Sequence, residues 1–119
     1  TTTSATAPTV TTGLMDPNQS TYNNIPTYSD FYIDNNEVTS DGGSSVTERG
    51  ICWSTSSSSP TTSDTKIIVS GTTGIYDANI HGRLNNITIY YRAYAINAIG
   101  TSYGVARSQY VDMGWIGAQ

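Results

Sequence analysis

Segment after segment of this chain changes side every second residue, and none sustains the three-to-four-residue apolar period of an amphipathic helix. In VTERGICWST, Ile51 and Trp53 fall on one side and Cys52 on the other. In IYDANIHG, Tyr76, Ala78 and Ile80 share a side. ITIYYRAYAIN is the longest such run, with Ile89, Tyr91, Ala93 and Ala95 on one face and Tyr90, Arg92 and Tyr94 on the other. TKIIVSG and TSYGVARSQYV are shorter, and SDGGSS, SSSSPTTSD, RLNN and AIG punctuate the runs as turns. About seven short strands with turn signals every eight to twelve residues predict an all-β sandwich of antiparallel strands. A length of 119 residues suits a single core.

One segment breaks the period. In DFYIDNNEVTS, Phe31 and Ile33 share a phase and Val38 falls on the opposite one. A period of two turns all three inward only if one extra residue is inserted, so a β-bulge or bend is predicted near Asn35 and Asn36. Upstream, TTTSATAPTVTT is Thr-rich and extended, and Pro8 restricts it to an edge strand or linker. GLMDPNQSTYNNIPTYS reads as a long loop. The predicted organisation is a Thr-rich segment and loop over 1–28, a sandwich over 29–111 and a tail over 112–119.

Charged residues are only 12 % of the chain, against roughly a quarter in intracellular domains, which points to an extracellular or wall-exposed module. The net charge of −4 comes with no basic stripe, so nucleic acid is not an expected partner. The apolar runs are far too short for insertion in a membrane. The chain begins at Thr1 without a signal-peptide pattern, as a processed or excised chain would. A single cysteine excludes an internal disulfide.

The stretches SDGGSSVTERGICWSTSSSSPTTSDTK and IHGRLNNITIYYRAYAINAIGTSYG carry a resemblance. Their Asp-Gly-Gly turn, TERGICWSTS, PTTSDTK and YYRAYA-x-N-x-x-GTSYG resemble the fibronectin type III-like modules of secreted and surface proteins of Bacteroidota and related bacteria. The likeness covers roughly residues 38–105. It implies a fibronectin-like, immunoglobulin-type sandwich without a catalytic site, acting as a spacer, adhesive unit or accessory domain and placed outside the cell or on the bacterial surface. The two ends of the chain lie outside the pattern.

Candidate chemistry is sparse. Cys52 and the only histidine, His81, would need a thiolate held beside an imidazole, but nothing supplies an orienting third group. A buried structural thiol is the expectation, with Cys52 packed against a neighbouring strand or the early loop. Asp30, Asp34, Glu37 and Asp41 offer oxygen ligands at short spacing, though not at the spacing of a calcium loop. No cofactor is expected. Tyr90, Arg92 and Tyr94 form an outward stripe that would stack on sugar rings or a partner protein, or pack across the sheet. Trp115 offers an apolar contact in the tail. Asn18-Gln19-Ser20 and Asn86-Ile87-Thr88 fit a glycosylation triplet. Ile51, Trp53, Ile80, Ile89 and Ala93 are the expected core, with Trp53 as its anchor beside the small Ala93 and Ala95.

Two functions follow as expectations. The first is a non-catalytic surface module, partnered by protein and by copies of itself, with Thr9, Val10 and Thr11 as a candidate inter-subunit strand that builds a filament. The second is a carbohydrate-binding or spacer module of a secreted glycan-active enzyme or adhesin, with surface glycans as partner.

Overall fold

The computed structural model describes residues 4–15, 29–82 and 87–111. Among these residues nine strands follow one another: β1 (Thr9–Thr11), β2 (Leu14–Met15), β3 (Ser29–Ser40), β4 (Glu48–Ser54), β5 (Thr65–Ile68), β6 (Gly74–Gly82), β7 (Ile87–Ile96), β8 (Thr101–Tyr103) and β9 (Arg107–Val111). All pairings are antiparallel, in two sheets. In the first sheet β3 is flanked by β6 on one side and by β1 and β2 in succession on the other. In the second the order is β5–β4–β7, and β8 and β9 share the remaining side of β7. The predicted all-β class and the two-sheet arrangement are what the structure has. The final segment, expected as one strand, is broken at residues 104–106.

The bulge stands at the predicted place. Ile33 pairs with Ala78 and Asn36 with Tyr76, so three steps on β3 face two on β6. Asn35 absorbs the extra residue at φ 66°, in the left-handed region that asparagine tolerates better than most side chains. Phe31, Ile33 and Val38 are consequently all buried. Asn36 becomes fully buried and bridges three backbone segments. Its Nδ2 donates to the carbonyls of Ile33 (2.8 Å) and Tyr76 (3.1 Å), and its Oδ1 accepts from the Gly13 amide (2.8 Å).

The core lies between the sheets. Ile51, Ile80, Ile89 and Ala93 are fully enclosed, as expected, together with Phe31, Ile33, Val38, Tyr76, Ala78 and Tyr91. Each fully buried isoleucine contributes about 1.5–3 kcal/mol of transfer free energy. Trp53 is not the anchor that its size suggested. It is half-buried against the edge of this cluster, opposite Tyr91 rather than beside Ala93.

The N-terminal boundary also needs correction. Thr9–Thr11 is not a free strand awaiting a neighbour, because it pairs with Glu37–Ser40 of its own chain and Val10 enters the core. Leu14 and Met15, expected in a loop, pair with Asp34 and Ile33. The sandwich therefore takes in residues N-terminal to 29. Pro8, without an amide proton, immediately precedes the edge strand β1, where no ladder bond is lost.

Candidate functional site

The expected Tyr90, Arg92 and Tyr94 stripe does share the outer face of the second sheet. Register places Arg92 opposite Cys52, Tyr94 opposite Gly50 and Tyr90 opposite Ser54. It does not form an open platform. Residues 55–64 turn back over this face and bury Pro60 against it. The Pro60 carbonyl accepts from Arg92 Nε (2.6 Å) and from Cys52 Sγ (3.5 Å), and the Tyr103 hydroxyl accepts from the Thr62 amide (3.1 Å). The Arg92 guanidinium lies 4.0 Å from the Tyr103 ring centroid. Its planar, cationic face is therefore already spent on an aromatic ring of its own chain.

Tyr94, expected as a contact residue, has no exposed surface. Gly50 opposite it carries no side chain, and the Tyr94 hydroxyl donates to Glu48 Oε2 at 2.7 Å. The same oxygen accepts from Lys66 Nζ at 2.7 Å. Glu48 is held below its ordinary pKa, first by the Lys66 hydrogen bond and then by that from Tyr94. Tyr94 is pushed upward by burial and by the adjacent Glu48 carboxylate. Tyr90 and Arg92 remain half-buried. A sugar-stacking surface made of all three side chains is not present, because cross-strand packing and the returning loop occupy them.

Cys52 is fully buried on the outer face. It packs beneath residues 55–64, at the Pro60 carbonyl, and against the neighbouring strand β7, at the Arg92 carbonyl (3.6 Å). Burial raises its pKa, outweighing the attraction of Arg92, so the group is a thiol rather than a nucleophilic thiolate. His81 lies on β6 in the first sheet, paired with Asp30 of β3, whereas Cys52 is in the second. Asp30, Asp34 and Glu37 are strung along β3, and Asp41 caps the following turn through its Oδ1, which accepts from the Gly43 amide. Among the described residues no three His, Cys, Asp or Glu side chains gather as metal ligands. Trp115, the Asn18-Gln19-Ser20 triplet and Asn86 lie outside the described residues.

Sequence reasoning missed the feature that joins the sheets. Between β1 and β2, which both pair with β3, the Thr12–Gly13 step makes a crossing contact from the first sheet to the second. Thr12 Oγ1 accepts from the Ala93 amide (3.1 Å), and the Thr12 carbonyl accepts from Arg107 Nε (3.3 Å). The Tyr91 hydroxyl accepts from the Met15 amide (3.0 Å). Gly104, at the break between β8 and β9, lies so close to Thr12 that a Cβ there would collide with it. Thr12, Gly13, Leu14, Met15, Asp34, Asn35 and Arg107 also line a cleft of about 600 Å³. Glycine at 13 and 104 was the available signal, since an isolated strand glycine often marks close backbone approach.

A buried cation completes the polar inventory. Arg49 is enclosed, with Nη2 donating to the Ser70 carbonyl (2.6 Å), Nη1 to that of Thr73 (3.1 Å), and its guanidinium 4.6 Å from the Tyr76 ring. Gly71 packs against it at φ 119°. Among the described residues it has no carboxylate partner, so carbonyl dipoles and a ring face hold the charge. None of these groups pairs a nucleophile with a base.

Comparisons of the chain with protein-family models, with curated proteins and with solved structures gave no match.

Proposed function

We propose that the chain is a non-catalytic structural or adhesive module with a fibronectin type III-like sandwich, located outside the cell or on a bacterial surface. The carrying observation is the distribution of strands. β1 and β2 act as one position and β8 and β9 as another, which gives three positions, (β1/β2)–β3–β6, facing four, β5–β4–β7–(β8/β9). That arrangement supports the sandwich type implied by the sequence resemblance. The use of Cys52, Arg92, Tyr94 and Arg49 in internal contacts supports a scaffold, since chemistry-bearing side chains are consumed by packing. The low charge content supports an extracellular setting.

Partners are proteins contacted through the outer surfaces. The N-terminal strand is not free for donation to a second copy, because it completes its own sheet. Among the described residues, glycan binding retains the half-buried Tyr90 and Arg92, and it is the weaker alternative. A glycan-array screen of the purified chain beside its Tyr90→Ala variant, with electron microscopy of the same sample, tests the choice. The expected result is no glycan binding. Saturable binding abolished by Tyr90→Ala would replace the structural reading with the carbohydrate one.

A further inference from the structure

We propose that the cleft beside the Thr12–Gly13 crossing binds the C-terminal carboxylate of a partner polypeptide. The inference goes beyond the structural reading above and does not depend on it. At about 600 Å³ the cleft has the size of a small-ligand site. It lies where the β2 edge of the first sheet meets the β9 edge of the second.

Its two sides differ in charge. Arg107 begins β9 opposite the buried Tyr91, so its side chain belongs to the face turned toward the first sheet. Its Nε donates to the Thr12 carbonyl (3.3 Å), and its two Nη nitrogens have no acceptor among the described residues. A guanidinium anchored in this way presents its remaining N–H groups as a planar fork that matches a carboxylate. The Tyr91 hydroxyl stands at the Met15 amide, from which it accepts (3.0 Å), and its own proton has no acceptor among the described residues. The inner end of the cleft thus gathers unengaged donors and positive charge. Asp34 lines the opposite side, in the outward phase of β3 next to the buried Ile33. The two charges therefore orient a bound carboxylate inward, toward Arg107.

The remaining walls indicate what carries that carboxylate. Met15 supplies an apolar floor, and Leu14, 64 % exposed, an apolar side wall. Asn35 offers an exposed side-chain amide that is bonded to no described residue. An alkyl acid leaves that amide without a partner, whereas a terminal residue with an apolar side chain and a peptide group matches both walls. The middle of an extended chain does not fit. The Gly13 amide is taken by Asn36 Oδ1 and the Met15 amide by the Tyr91 hydroxyl, so neither is left to build a ladder with an added strand.

An NMR titration of the isotope-labelled full chain tests this, with acetyl-leucyl-leucine as the probe. Its C-terminal amide and hexanoate are the comparison compounds. The expected result is saturable shifts at millimolar probe, centred on the amides of residues 13–15 and on Arg107 Nε–H. The amide form is expected to bind about tenfold more weakly or worse, since it loses the charge-assisted bonds. Hexanoate is expected to bind more weakly than the dipeptide acid, and Arg107→Gln to abolish saturable binding. Leu14→Ala, at an exposed position, is expected to weaken binding several-fold while the rest of the spectrum is unchanged, so the test survives if Arg107→Gln fails to fold. Absence of saturable shifts, shifts centred elsewhere, or equal affinity for acid and amide overturns the proposal. Hexanoate binding as tightly as the dipeptide acid overturns the polypeptide as its source. Adhesion plays no part in the titration, so failure of the structural reading and failure of the cleft are distinct outcomes.

Discussion

Asn36 shows how much one polar side chain can determine when it has no access to water. Its amide satisfies two carbonyls and one amide that the bulge and the crossing would otherwise leave buried and unpaired. Asn36→Leu keeps the volume but removes all three bonds. It is expected to cost about 2–4 kcal/mol in urea unfolding, since each orphaned buried group carries a penalty of its own. Ionisable side chains give the pH response. Glu48 has a folded pKa below its ordinary 4.5. Its stabilising contribution is therefore present above the unfolded value and lost as pH falls through the folded one. Glu48→Gln is expected to flatten the acid limb of a stability-against-pH profile, modestly because the pair is partly solvated. Tyr76, Tyr91 and Tyr94 have folded pKa values raised above the ordinary 10, each first by burial. Their contribution is complete below pH 10 and lost as pH rises toward the folded values. An absorbance titration is expected to show part of the tyrosine content ionising only as alkaline unfolding sets in.

Among elements, the edge strands show how the sheets are kept from pairing with other chains. β5 has four residues and carries Lys66, β6 carries the exposed Asp77 beside the bulge, and β9 begins at Arg107. Short length, charge and irregularity are the usual guards of an open edge. Lys66→Val removes one guard from an edge that already exposes Ile68, and concentration-dependent light scattering is expected to rise above that of the parent protein. The β1–β2 crossing responds to bulk instead. A Cβ at residue 13 would meet the Asp34 carbonyl, which is backbone and cannot swing aside. Gly13→Ala is therefore expected to destabilise by more than about 1 kcal/mol, the opposite of the gain a tolerated Gly→Ala gives.

For the whole molecule, the crossing makes the two sheets one cooperative unit, because residues 4–15 hydrogen bond to both. Trp53 fluorescence and Cys52 alkylation report on β4 of the second sheet, and both are expected to coincide with the far-UV transition that reports on the two sheets together. The sequence by itself determined the class, the inward faces of β3, β4, β6 and β7, and the bulge. Each of these follows from a period of two and from one break in that period, which neighbouring residues suffice to express. It marked Cys52 as a packed thiol for the same reason. Only the tertiary structure decided that Tyr94 is sealed, that residues 55–64 cover the outer face, and that Thr9–Thr11 closes its own sheet. Those outcomes depend on which distant segment arrives to fill a surface. Pro60 meets Arg92 and Thr12 meets Ala93 across separations in sequence that no local pattern records.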